Sequence, residues 1–253
     1  KFINYILIIM FMYKNKKGQL TIFIIVGIVI VVSIVLYFVL RSGVGQGYSI
    51  SQTEDIKTFI DACVDETSVD VIERIGLGGG YYYAQDDSID GVTIYYSYYD
   101  DKFGVPLREE IEREISDAVT ENLFFCLGNF NDFENVELDV GELEVLTTIT
   151  DESIDLDISY PIRVMSGDNV DVLRDFETRV YVRLGVIYDS LVGIVEDNKE
   201  GICLTCILDN DLKLNVTNLE ENTFMFSILD EQSELNDKSY EWDFAMEYEY
   251  EVQ

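Results

Sequence analysis

L-E-V-L-T-T-I, from Leu143 to Ile149, is followed after a short gap by I-D-L-D-I-S-Y-P-I-R-V, from Ile154 to Val164. Apolar and polar side chains alternate in both, which is the period of a strand with one buried face. A gap this short suits a hairpin, and hence antiparallel pairing. Working outward, alternation recurs in Val136–Val140, Asp171–Val182, Leu212–Val216, Thr223–Leu229 and Tyr240–Tyr250, and Val92–Tyr99 reads as a further strand. Helical spacing appears between these runs. Ser51-Gln52-Thr53-Glu54 fits a capping box, and Ile56, Phe59, Ile60, Cys63, Val64, Val71, Ile72 and Ile75 follow on one face. Gly76 to Gly80 ends that helix. Pro106 opens a second helix, Leu107–Leu127, with acidic residues near its start, and a short third covers Leu184–Val195. Helices mixed with hairpin-spaced strands predict an α+β domain, mostly antiparallel, over residues 53–253.

The chain upstream has a different character. Leu20–Leu40 is 21 residues without a charge, broken only by Thr21, Gly27 and Ser33. A bilayer core of about 30 Å needs roughly 20 such residues as helix. Lys14, Lys16 and Lys17 precede the run, against Arg41 behind it, so the positive-inside rule puts the N-terminus in the cytoplasm. The expectation is a single-pass membrane protein with lipid contact through residues 20–40 and an extracellular C-terminal domain. Residues 1–18 are then a leader, 19–41 the transmembrane helix, and 42–52 a tether with Gly43, Gly45 and Gly47. Residues 1–11 read as sequence upstream of a start at Met12.

K-K-G-Q-L-T-I-F-I-I-V-G-I, Lys16 to Ile28, resembles the class III, type IV prepilin-like signal of archaea. The resemblance implies cleavage between Gly18 and Gln19, leaving the apolar helix as the mature N-terminus. Pilins of that kind usually carry Glu where this chain has Phe23. I-D-A-C-V-D-E-T (Ile60–Thr67), I-G-L-G-G-G-Y (Ile75–Tyr81), Y-P-I-R-V (Tyr160–Val164), V-R-L-G-V-I-Y (Val182–Tyr188), I-C-L-T-C-I-L (Ile202–Leu208) and F-A-M-E-Y (Phe244–Tyr248) are similar to segments of membrane-anchored exported proteins of small-celled archaea. That group implies a location and no activity.

Charge narrows the partners. The chain carries a formal −32, and all 49 acidic residues lie beyond Arg41. Such a domain repels nucleic acid and anionic headgroups and attracts cations and basic partners. With 48% hydrophobic residues it can still bury a core. The four cysteines, Cys63, Cys126, Cys203 and Cys206, all follow the membrane run, where thiols tend to pair. The favoured pairs are Cys63–Cys126 and Cys203–Cys206; the other two connectivities, a redox-active Cys203–Cys206 and a zinc site stay open.

The chemical motifs are thin. Asp86, Ser88 and Asp90 open a calcium-loop pattern, D-x-S-x-D-G, but Ser97 stands where the bidentate Glu belongs, so a solvated turn is the reading and calcium the rival. Asp151, Glu152, Asp155 and Asp157 mostly share one strand face and read as solvent exposure. Tyr81–Tyr83, Tyr95, Tyr96, Tyr98 and Tyr99 suit a half-buried sheet, with a glycan-stacking surface as the rival. Asn215-Val216-Thr217 is a glycosylation sequon. The chain has no histidine, which excludes Ser-His-Asp and Cys-His catalysis. Expected is a surface protein for adhesion, partner contact or surface assembly, without catalysis or cofactor. A pilin-like filament subunit and a carboxylate- or cation-dependent ectoenzyme are the alternatives.

Overall fold

The thirteen-residue strand Ile154–Ser166 pairs with three others. In the computed structural model the described residues are 25–34, 48–83, 94–100, 102–133, 136–167, 169–202, 211–220 and 222–248. The chain divides into two units, Lys1–Glu54 and Asp55–Gln253. In the first, residues 25–34 are helical and every one is exposed; Ser33 returns its hydroxyl hydrogen to the Val29 carbonyl at 2.7 Å. Among the described residues no helix is long and apolar enough to cross a membrane. The remainder of the 20–40 run, the Gly18–Gln19 bond and residues 42–47 lie outside the described residues.

The second unit is mixed α+β with mostly antiparallel sheets. Helix α1 runs Tyr48–Leu77, earlier than the capping box suggests. Ser51 therefore lies inside the helix, and residues 48–52 of the expected tether are helical. Ile56, Ile60, Cys63, Val64, Val71, Ile72 and Ile75 are buried, the face that their spacing predicts. Helix α2 is Arg108–Leu127 and buries Ile111, Ile115, Ala118, Val119, Leu123 and Leu127. Its start is held by the Glu110 carboxylate, which accepts the Leu107 N–H at 2.9 Å. Cys63 and Cys126 are bonded, tying α1 to α2 as the favoured pairing has it. A 3-10 turn, Gly128–Phe133, follows.

One sheet contains β1 (Tyr96–Tyr99), β2 (Lys102–Phe103), β7 (Leu212–Asn218), β8 (Thr223–Leu235) and β9 (Lys238–Glu247), in the order β2-β1-β9-β8-β7. Its β1/β9 pair is parallel. The β8–β9 hairpin turns at Asn236 and Asp237, both at positive φ, which matches the twist of the flanking strands. The other sheet contains β3 (Glu137–Val140), β4 (Glu144–Ile149), β5 (Ile154–Ser166) and β6 (Asn169–Val180). Strands β3 and β4 pair with successive parts of β5, and β6 pairs with β5 over most of its length. Pro161 sits where the β5/β6 register shifts, between Ser159 and Ile162, so its missing N–H costs no ladder bond. Its carbonyl accepts the Gly141 N–H at 2.8 Å, in the link between β3 and β4. Helix α3, Leu184–Asn198, buries Leu184, Ile187, Leu191, Ile194 and Val195.

Several strand ends move relative to expectation. The strand expected over Asp171–Val182 begins at Asn169 and ends at Val180; the one expected from Val92 begins at Tyr96, with 92 and 93 outside the described residues. The glycine run does more than stop α1. A Cβ on Gly76 would lie 2.5 Å from the Glu241 carbonyl oxygen, and one on Gly79 would lie 3.0 Å from that of Asp243. Gly79 and Gly80 also sit at φ +68° and +106°, which glycine alone adopts freely.

Candidate binding surfaces

One groove follows from β5 being central. Residues 144–146 of β4, 157–159 of β5 and 175–177 of β6 are neighbours by register, and α1 passes beside them with Lys57, Asp61 and Asp65. Together they line a groove of about 1200 Å³. Asp61 and Asp65 reach it from α1, on the side of Val145, Ile158 and Phe176, while Glu144, Asp157, Asp175 and Glu177 belong to the alternate rows that face the other side of the sheet. Lys57 pairs with Asp61 at 2.9 Å, and Asp65 accepts the Thr178 hydroxyl at 2.6 Å. Val145, Ile158 and Phe176 contribute apolar surface. Such a groove supplies negative potential and hydrogen-bond acceptors, the chemistry of cation recognition.

The carboxylates expected on one solvent-exposed strand face divide into two kinds. Asp151 and Glu152 occupy the exposed β4–β5 turn. Asp155 accepts both Arg179 Nε at 2.7 Å and Nη2 at 2.9 Å, and the Ser153 hydroxyl at 2.9 Å. The Arg179 bond is the main cause holding Asp155 below the usual carboxylate range. Asp157 is exposed. Its cross-strand neighbour Glu177 was not foreseeable, because register between β5 and β6 is a tertiary property.

A second cleft, about 660 Å³, is lined by Asp70, Glu73, Arg74, Leu77, Gly78, Tyr82, Ile94 and Asp243. Tyr82 is held from four directions. Its N–H donates to Glu114 at 3.0 Å and its hydroxyl to Asn122 at 3.1 Å, while its carbonyl accepts Arg74 Nε at 3.1 Å. The Arg74 guanidinium also stacks 4.6 Å from its ring centre. Tyr81–Tyr83 thus brace α1, α2 and β1: Tyr81 packs on Tyr95, and Tyr83 donates to Glu121 at 2.8 Å.

Asp243 is 9% exposed, and its Oδ1 has no hydrogen-bond partner. Burial raises its pKa to about 6, against a smaller lowering by the Ser227 hydroxyl. A folded pKa above the unfolded value means that the native state holds its proton longer. Stability is then full below about pH 4 and falls as pH rises through 6. Asp243→Asn is expected to flatten that slope and to raise stability at pH 8 by about 1–2 kcal/mol in urea titrations. An unchanged urea midpoint at pH 8 would remove the buried charge from the account.

The remaining sequence candidates are placed as follows. Asn215 lies exposed on β7. Asp86, Ser88, Asp90, Cys203 and Cys206 lie outside the described residues, as do Gly18 and Gln19. Among the described residues no group of three acidic, cysteine or histidine side chains is arranged to hold a metal ion. The arrangement that sequence reading missed altogether is Arg183 with Asp230, 47 residues apart. No family model matches the chain, and no curated protein or solved structure matches it.

Proposed function

We propose that this chain is a membrane-anchored cell-surface protein whose acidic α+β domain makes contacts outside the cell by binding rather than by catalysis. The observation carrying the reading is residues 25–34: a helical stretch of Ile, Val, Gly and Ser, with its large apolar side chains 41–60% exposed. Exposed apolar surface on every side of a helix suits lipid as its solvent. The Cys63–Cys126 bond supports an oxidising compartment for the domain, and the lysines before Leu20 support a cytoplasmic N-terminus. Processing at Gly18–Gln19 would leave the anchor in place.

The test is fractionation. The native chain is expected in the membrane pellet after alkaline carbonate, starting at Gln19 on N-terminal sequencing. Ile30→Arg, at the middle of the apolar run, is expected to shift much of the chain into the soluble fraction, since arginine there costs about 2.5–3.5 kcal/mol. A wild-type chain released by carbonate would end the anchor reading.

A further inference from the structure

Sheet register sets out a pattern of charge that composition alone cannot. On one face of β4, β5 and β6, Thr148, Asp155 and Arg179 form a row across the strands. The next row is Leu146, Asp157 and Glu177, and the next Glu144, Ser159 and Asp175. Beyond the bulge, Asp139 lies opposite Arg163. The outer rows are neutralised: Arg179 holds Asp155, and Arg163 reaches Asp139 at 2.7 Å. The two middle rows are not. Glu144, Asp157, Asp175 and Glu177 make no ion pair with any described residue.

Asp157 stands directly opposite Glu177, and like charges so placed destabilise a sheet. In the middle of this bare stretch Leu146 is 64% exposed. Glu144, Asp157, Asp175 and Glu177 around it are exposed as well. An uncovered sheet face that neutralises its ends and leaves its centre negative, around one exposed aliphatic group, is complementary to cationic side chains with aliphatic stems.

We infer that this face docks a basic, extended segment of a partner protein, with lysine or arginine at alternate positions. Same-face side chains of an extended segment repeat every ~6.7 Å, the spacing between the two bare rows. The cationic heads meet Glu144, Asp157, Asp175 and Glu177, and the stems cover Leu146. Docking of this kind is independent of how the chain is anchored.

The full chain in neutral detergent is titrated with a labelled peptide alternating lysine and threonine, read by fluorescence anisotropy. Saturable binding is expected at low salt and is lost near molar salt, where the Debye length is about 3 Å. Asp157→Asn with Glu177→Gln is expected to weaken binding about tenfold, while Glu196→Gln with Asp197→Asn, an equal charge change on exposed α3 residues, changes it less than about twofold. The first variant relieves a repulsion, so its melting temperature should not fall. Equal weakening by both variants would reduce the effect to overall charge and overturn the inference, as would the absence of saturable binding at low salt. Carbonate extraction tests the anchor separately, so failure of either reading leaves the other standing.

Discussion

Arg183→Ala is expected to cost about 3–5 kcal/mol of folding stability, the largest effect of any single substitution considered. Asp230 is fully buried and Arg183 is only 23% exposed at its side chain. Arg183 Nη2 and Nε donate to the two carboxylate oxygens at 2.6 and 3.0 Å. The Ser233 hydroxyl adds 2.5 Å and the Gln232 N–H 3.0 Å. Ser233 in turn accepts the Arg183 N–H at 3.0 Å. Burial alone would raise the Asp230 pKa, but these donors together hold it below the usual range.

The sign of the pH dependence follows. A depressed folded pKa contributes stability above the unfolded value of about 3.9, lost as pH falls through the folded one. Removing Arg183 leaves a buried carboxylate without its cation, so the variant should lose stability most at neutral pH and least in acid. Urea midpoints at pH 3 and pH 7 check this. Arg183→Met with Asp230→Leu should recover much of the loss, because an apolar pair of similar size leaves nothing unpaired. A neutral-pH loss below about 1 kcal/mol for Arg183→Ala would mean that water reaches Asp230.

Cys63→Ala with Cys126→Ala is expected to cost about 4 kcal/mol, the chain-entropy value for a closed loop of 63 residues. Cys63 is 3% exposed, so part of the cost is a small cavity between α1 and α2. The prediction is a melting temperature well below wild type, with a similar drop for wild type once fully reduced. Equal melting temperatures with and without reductant would show that helix packing alone holds α1 to α2.

Elements whose local pattern matches their tertiary role were readable in the sequence. Helix α2 has Pro106 before it, Glu109 and Glu110 in its first turn, and buried positions at Ile111, Ile115, Ala118, Val119 and Leu123. Strand β5 alternates over Ile154–Val164 and pairs on both edges. What was not readable depends on partners far along the chain. Tyr96 pairs in parallel with Ala245, Lys102–Phe103 is too short to carry a period, and Arg183 finds Asp230 only after folding. The binding face shares that origin. Asp155 and Asp157 look alike in sequence, and only register gives one an arginine and the other a glutamate.

The glycine turn after α1 has one more consequence. Tyr96 pairs with Ala245 and Tyr98 with Met246, and among the described residues no strand pairs with the preceding stretch of β9 on that side. There the Glu241 carbonyl faces Gly76 at a distance that admits no side chain, and the Asp243 carbonyl crowds Gly79, whose positive φ also disfavours one. Bare strand edges recruit other chains, and proteins usually deter this with lysine, proline or a bulge. This one uses main chain pressed against main chain. The seal is steric and carries no charge, so it holds at any salt concentration, and a chain crowded among its own copies cannot extend its sheet into theirs through that stretch of β9.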